Sequence, residues 1–207
     1  MPITINGSAG TITGVSTGGL PDGSVDADTL ASNAVTTAKI ADSAVTSAKS
    51  SGLGISVAKQ FRMHTTYTLP TNSRVTVNDY WESIDTDTPG VLGSFADPSS
   101  GVFAFPSTGI WLIQWQAYFL AGTGTSSECF ITTTTDNSSY DIAASARFEA
   151  HDGGDYHSPN CFFLFDVTNV STHKVKLDAY SRWASTQIRG DTNSNITYAT
   201  FVKLGDT

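Results

Sequence analysis

Every Trp, Tyr and Phe of this chain lies at or beyond Phe61, so the preceding residues have no aromatic side chain with which to build a hydrophobic core. The chain has 207 residues, of which 39% are hydrophobic and 14% are charged, and this composition suits one globular domain with an appendage. We therefore predict three parts: an N-terminal arm over residues 1–20, a stalk over 21–57 and a globular domain over 58–207.

The charge balance argues against a nucleic-acid partner, because 11 basic residues are scattered among 19 acidic ones and the net charge is −8. The unbroken apolar runs are only a few residues long, so we expect no insertion into a membrane. The first ten residues lack the charged and apolar regions of a secretory signal, and we expect synthesis in a cytoplasm.

The arm alternates β-branched residues with Gly and Ser over residues 3–20, which predicts a short strand. A strand without a core is expected to take its hydrogen-bond partners from another chain, as a docking arm does; a flexible tail is the alternative. The side chains expected to anchor the arm are Ile3, Ile5, Ile12 and Val15.

The stalk repeats with a period of ten, since AVTTAK at residues 34–39 returns as AVTSAK at 44–49. One unit buries too little apolar surface to offset about 1.5 kcal/mol of ordering entropy per residue, so the repeat predicts packing between identical chains. We expect short helical turns at Ala-Lys, with extended strand or a disordered linker as alternatives. The expected packing column is Val25, Val35, Val45 and Ile55.

The sequence ITINGSAGTITGVSTGGLPDGSVDADTL, followed by AVTTAKIADSAVTSAK, resembles the N-terminal region of fibre and appendage proteins of tailed bacteriophages. The resemblance covers about the first 57 residues. It implies that residues 1–20 attach to capsid or tail proteins and that the protein lies on the virion surface.

From residue 58 onward, apolar and β-branched runs alternate with Gly, Asn, Asp and Pro turns, and no segment has a sustained helical period. This pattern predicts an all-β fold, an antiparallel sandwich. The predicted strands are 58–69, 74–81, 101–106, 109–121, 127–135, 140–150, 160–168, 173–183 and 195–204.

Two of these strands are apolar on both faces: GIWLIQWQAYFLA at 109–121 and CFFLFDV at 161–167. Inside a sandwich one face of a strand meets the opposing sheet, so the second apolar face is predicted to contact another subunit. The predicted interface residues are Ile110, Leu112, Tyr118, Leu120, Phe162 and Leu164.

The segment GVFAFPSTGIWLIQWQAYF is similar to a strand, Pro-x-x-Gly turn and aromatic strand of complement-type globular heads and tumour-necrosis-factor-like jelly rolls. HKVKLDAYSRW and NITYATFVKLG are similar to the last two strands of that family. The resemblance implies a ten-stranded jelly roll that forms a homotrimer through aromatic faces. It also implies ligand binding through loops and clefts between subunits, with no catalytic residues to carry over.

The loop AHDGGDYHSPN is the main candidate site, because it places His151, Asp152, Asp155, Tyr156 and His157 around two glycines. These residue types can ligate a divalent metal, but their spacing matches no established motif. We therefore predict a loop that contacts a host-surface glycan or protein, with no metal and no cofactor. The loop DTDTPG at 85–90 lacks the spacing of an EF-hand calcium site and is predicted to be a turn.

The two cysteines, Cys129 and Cys161, lie in strand-like apolar runs and are predicted to be reduced core residues, with a disulfide as the alternative. No nucleophile or phosphate-binding motif and no marked carboxylate pair occurs, so we expect no enzymatic activity. The leading interpretation is a homotrimeric phage fibre that binds a host receptor. The alternatives are a capsid decoration protein or head fibre without a dedicated receptor and, third, a depolymerase.

Overall fold

The computed structural model describes residues 4–6, 11–13, 30–42, 44–45, 54–122 and 126–207. The chain divides into two compact units, Met1–Ser51 and Gly52–Thr207. The predicted all-β class is confirmed, and every pair of named strands is antiparallel. Within the described ranges, no helix has the length and apolar character needed to cross a membrane.

In the first unit, strand β1 (Thr4–Asn6) pairs with strand β2 (Thr11–Thr13), and Ile5 lies opposite Ile12. The strand finds its hydrogen-bond partner in the same chain, because a second β-branched run follows after a short glycine-containing connection. This corrects the expectation that another chain must supply the partner. Ile3 and Val15 lie outside the described residues.

The repeat contains the expected helical turn, a 3-10 helix over Thr37–Lys39. The Lys39 amide donates to the Thr36 carbonyl at 2.9 Å, and Lys39 Nζ donates to the Ala34 carbonyl at 2.6 Å. The corresponding turn of the next repeat, like Val25, falls outside the described residues. Three members of the expected packing column are about half exposed in the single chain: Val35, Val45 and Ile55.

In the described part of the second unit the named elements are all β-strands, as the alternating apolar runs between Gly, Asn and Pro turns indicate. Its strands are β3 Ala58–Met63, β4 Tyr67–Thr68, β5 Ser73–Thr76, β6 Trp81–Ser83, β7 Val102–Ala104, β8 Gly109–Gln116, β9 Phe119–Leu120, β10 Ser126–Thr134, β11 Asp141–Glu149, β12 Tyr156–His157, β13 Asn160–Val167, β14 Lys174–Ser181, β15 Gln187–Ile188 and β16 Tyr198–Gly205.

Two sheets form the sandwich: a five-stranded sheet in the order β13-β8-β16-β3-β6 and a four-stranded sheet in the order β11-β10-β14-β7. A small third sheet has the order β12-β9-β15-β4. Alternate residues along each long strand face inward. The alternation predicted for 109–121 is observed in β8 over Gly109–Gln116, where Trp111, Ile113 and Trp115 are fully buried. This arrangement is an antiparallel jelly roll.

The centre of the core is a cluster of aromatic rings around Phe201 of β16. Its ring centroid lies 4.9 Å from those of Phe95 and Phe103 and 6.0 Å from that of Phe61. All four side chains are buried, and most of the ring pairs have edge-to-face or tilted geometries that aromatic quadrupoles favour. These contacts join β3, β7 and β16, and therefore hold the two large sheets together.

Candidate functional site

The outward side of the five-stranded sheet carries a continuous apolar surface, which we call the apolar face: Ile110, Leu112, Phe162, Leu164 and Val202. Leu112 lies opposite Leu164 on one neighbouring strand and opposite Val202 on the other. Phe162 is 56% exposed and Leu164 is 58% exposed, whereas the residues that flank them in β13 are more buried. A contiguous apolar patch of this kind is typical of a surface that another protein covers.

Four of the six predicted interface residues belong to the apolar face, but Tyr118 and Leu120 do not. Strand β8 ends at Gln116, and the chain then enters the small sheet, where Leu120 lies opposite Tyr156 and Gln187. The apolar run at 109–121 therefore contributes strands to two different sheets. This corrects the expectation that all its outward apolar residues lie on one face. An interface through Ile110, Leu112, Phe162 and Leu164 remains a prediction.

The residues of the loop at 151–157 do not converge on one point. His151 and Asp152 are almost fully exposed and contact each other, with His151 Nδ1 3.1 Å from Asp152 Oδ2. Asp155 is exposed and directly precedes β12. A carboxylate and an imidazole in open solvent gain little from each other, so this end of the loop has no built binding geometry.

Tyr156 and His157 point to opposite sides of β12, as neighbours in a strand do. Tyr156 is 53% exposed and stacks on Tyr118, with ring centroids 5.3 Å apart and an angle of 17° between the planes. His157 is half-buried and stacks on Phe148 at 4.3 Å, so less of its ring is open to a ligand, and its role as a receptor contact stays a prediction. Of the five loop residues, Tyr156 therefore has the most suitable geometry for a ligand.

Among the residues that the structure describes, no group of three or more His, Cys, Asp or Glu side chains is placed to hold a metal ion. In the loop at 85–90, Asp85 Oδ1 accepts a hydrogen bond from Arg62 Nη2 at 2.6 Å, so its carboxylate already has a cationic partner. Asp87 and Thr88 of the same loop have positive φ angles of 60° and 50°, as residues in tight turns often do.

Beside the tyrosine pair lies a shallow cavity of about 280 Å³, lined by Gln116, Tyr118, Ser158, Asn195 and Ile196. Asn195 also lines a second cavity of about 350 Å³, which extends along β3 to Gln60, Arg62 and Thr200. We call the two cavities together the amide groove.

The lining of the smaller cavity is uncharged, whereas the larger cavity is also lined by Lys59, Arg62 and the exposed Asp87. Arg62 is 1% exposed, and its guanidinium donates to Glu82 Oε1 at 2.7 Å, to Asp85 Oδ1 and to Thr86 Oγ1 at 2.7 Å. Because this cation is buried and fully partnered, it offers no free charge to an anionic ligand. The neutral polar lining includes a Gln60 amide that donates to Thr200 Oγ1 at 2.9 Å.

An exposed aromatic ring beside neutral amide and hydroxyl groups suits a hydroxylated ligand such as a glycan. An aromatic ring can cover the apolar face of a sugar, and side-chain amides can both donate to and accept from sugar hydroxyls. Sequence reasoning found Tyr156 but missed Gln116 and Asn195. The alternation along β8 could have indicated that Gln116 faces outward, whereas the loop around Asn195 gives no such signal.

No protein-family model matches this sequence, and no curated protein matches it. Solved structures match its fold. The structure of Eiger TNF from S. frugiperda superimposes with a TM-score of 0.57 at 12% identity, over 74% of this chain and 95% of that one.

The crystal structure of murine APRIL at pH 8.5 gives a TM-score of 0.52 at 13% identity, over 72% of this chain and 98% of that one. The structure of murine APRIL at pH 5.0 gives the same TM-score at 12% identity. The chain therefore contains a tumour-necrosis-factor-like jelly roll, in agreement with the resemblance seen in its strands.

Proposed function

We propose that this protein is a homotrimeric appendage of a tailed-bacteriophage virion and that its jelly roll binds a host-surface receptor. In this proposal the arm at 1–20 attaches to capsid or tail proteins, the repeat at 21–57 forms a stalk, and the domain at 58–207 recognises the host. The role is one of binding, and no residue is assigned to catalysis.

The exposed apolar face is the observation that carries the proposal of self-association. Phe162 and Leu164 are exposed large apolar side chains, and the partly buried Leu112 lies beside Leu164 on the neighbouring strand, so contact with a second copy would remove this surface from water. The decad repeat also supports self-association. Its apolar residues Val35, Val45 and Ile55 are about half exposed in one chain and can be buried between identical chains.

The virion context is supported by the resemblance of the first 57 residues to phage fibre and appendage proteins. A decad unit with one large apolar residue is suited to a narrow connector built from several copies. The shortness of the repeat favours a small fibre or a capsid-mounted appendage over a long tail fibre.

Receptor binding is supported by the Tyr118–Tyr156 stack and the amide groove beside it. Three weak sites on one trimer raise the effective concentration after the first contact, so modest individual contacts suffice to hold a virion. A neutral glycan is the receptor class that the uncharged lining of the smaller cavity fits best.

Replacement Tyr156→Ala is expected to weaken binding of the fluorescent full-length protein to host cells by about tenfold, because the exposed stacking surface is lost. Trp183→Ala is the matched control, since Trp183 is an aromatic residue of comparable exposure, 44% against 53%, beyond the end of β14. Cell-bound fluorescence titrated against protein concentration measures the effect, and circular dichroism checks the fold of both variants.

Equal binding by the Tyr156→Ala variant and the native protein would show that the groove is not the receptor site. If the native protein does not bind host cells and imaging finds many copies over the capsid, the decoration alternative replaces adhesion. If imaging finds a few copies at the tail and the free protein inhibits infection, the interpretation as a receptor-binding fibre is supported.

A further inference from the structure

Two cysteines face each other across the sandwich, and the proposed function uses neither of them. Cys129 lies in β10, an inner strand of the four-stranded sheet, and Cys161 lies in β13, an edge strand of the five-stranded sheet. Their sulfur atoms are 4.0 Å apart. Both side chains are buried, with exposures of 0% and 4%, and both thiols are free.

The geometry at this place permits a bond between the sheets. Cα atoms of β10 and β13 approach to within 8 Å, closer than the spacing of about 10 Å between packed sheets. A disulfide has an S–S length of about 2 Å, so closing it from 4.0 Å requires a sulfur movement of about 2 Å. The residues opposite Cys129 on its two neighbouring strands are the small Ala146 and Ala179, whereas Cys161 lies opposite the buried Trp115, so Cys129 is the side chain with more room to move.

The two thiols are chemically unequal. The hydrogen bond to the Cys161 sulfur, together with burial, raises the pKa of Cys129 far above its usual range. The same hydrogen bond lowers the pKa of Cys161. Cys161 is therefore the sulfur that loses its proton first and becomes the nucleophile.

Cys161 is also the more accessible of the two. It is the second residue of β13, it follows Pro159 and Asn160, and its strand has a partner strand on one side. Fraying of this strand end would expose Cys161 while β10 stays paired with both of its neighbours, β11 and β14.

We propose that Cys129 and Cys161 form an oxidation site at which a small-molecule disulfide closes a covalent bond between the two sheets and stabilises the jelly roll. The Cys161 thiolate attacks one sulfur of the small disulfide, whose S–S bond breaks and releases one thiolate. The Cys129 thiolate then attacks the Cys161 sulfur of the mixed disulfide and releases the second thiol. Two protein thiols are oxidised, one small disulfide is reduced to two thiols, and the two protein protons end on those thiols.

The test is to incubate the folded, reduced full-length protein with oxidised glutathione, alkylate the remaining thiols, and map peptides by mass spectrometry without reduction. The expected product is an intramolecular cross-link between the peptides of Cys129 and Cys161, with the loss of two hydrogen atoms. Because the bond closes a loop of about 30 residues, the thermal midpoint is expected to rise by about 5–10 °C over the reduced form.

Single replacements distinguish the thiol that attacks first, Cys161, from the thiol that closes the bond, Cys129. Cys129→Ala is expected to leave a glutathione adduct on Cys161, since no second thiol can displace it. Cys161→Ala is expected to leave Cys129 unmodified while the fold is intact. The proposal is overturned if the native protein keeps both thiols free under native conditions but reacts in denaturant, if it stops at the glutathione adduct, or if the cross-link fails to raise the midpoint.

Discussion

Replacement Leu164→Asp is expected to convert the proposed trimer to monomers. Leu164 lies in the apolar face opposite Leu112, and 58% of its surface is exposed in the single chain. A carboxylate buried there without a partner costs about 3–5 kcal/mol at each copy of the interface, which weakens association by at least about a hundredfold. Light scattering after size-exclusion chromatography measures the resulting mass.

Ile142→Asp is the matched control, because Ile142 is an aliphatic residue of similar exposure, 52%, in β11 of the other large sheet. It is expected to leave the trimer intact. Dissociation by both variants, or by Ile142→Asp alone, would show that the subunits do not associate through the apolar face.

Replacement Phe201→Ala is expected to lower the free energy of unfolding by about 3–5 kcal/mol. The Phe201 ring is fully buried and contacts Phe61, Phe95 and Phe103, so its removal leaves a cavity where the two large sheets meet. Urea denaturation followed by tryptophan fluorescence measures the loss.

Phe201→Leu keeps most of the volume and is expected to cost about 1.5 kcal/mol or less. If both replacements lower the free energy of unfolding by a similar small amount, the aromatic cluster relaxes around the cavity and is not the rigid centre of the core. The comparison must be made at one protein concentration, because self-association adds to the apparent stability.

The long strands could be predicted from the sequence because alternation fixes which side chains share a face. Trp111, Ile113 and Trp115 are buried as expected, and Leu112 and Gln114 between them lie on the opposite face. The change of sheet after Gln116 could not be predicted, since the same alternation continues through Phe119 and Leu120. The alternation of apolar residues indicates which side of a strand is apolar, but it does not indicate the sheet to which that strand belongs.

The candidate site was only partly predictable for a related reason. The composition of the loop singled out Tyr156 and His157, but the short strand β12 turns one of them outward and the other against Phe148. Tyr118 and Asn195, which complete the surface beside Tyr156, lie far away in the sequence. Tertiary structure alone brings them together.

The molar mass of the purified full-length protein in solution is the most direct test of the account, since both the stalk and the apolar face require self-association. Multi-angle light scattering at micromolar concentration is expected to give about three times the chain mass of 21.9 kDa. A monodisperse species at the mass of one chain would contradict the homotrimeric appendage and remove the basis for multivalent binding.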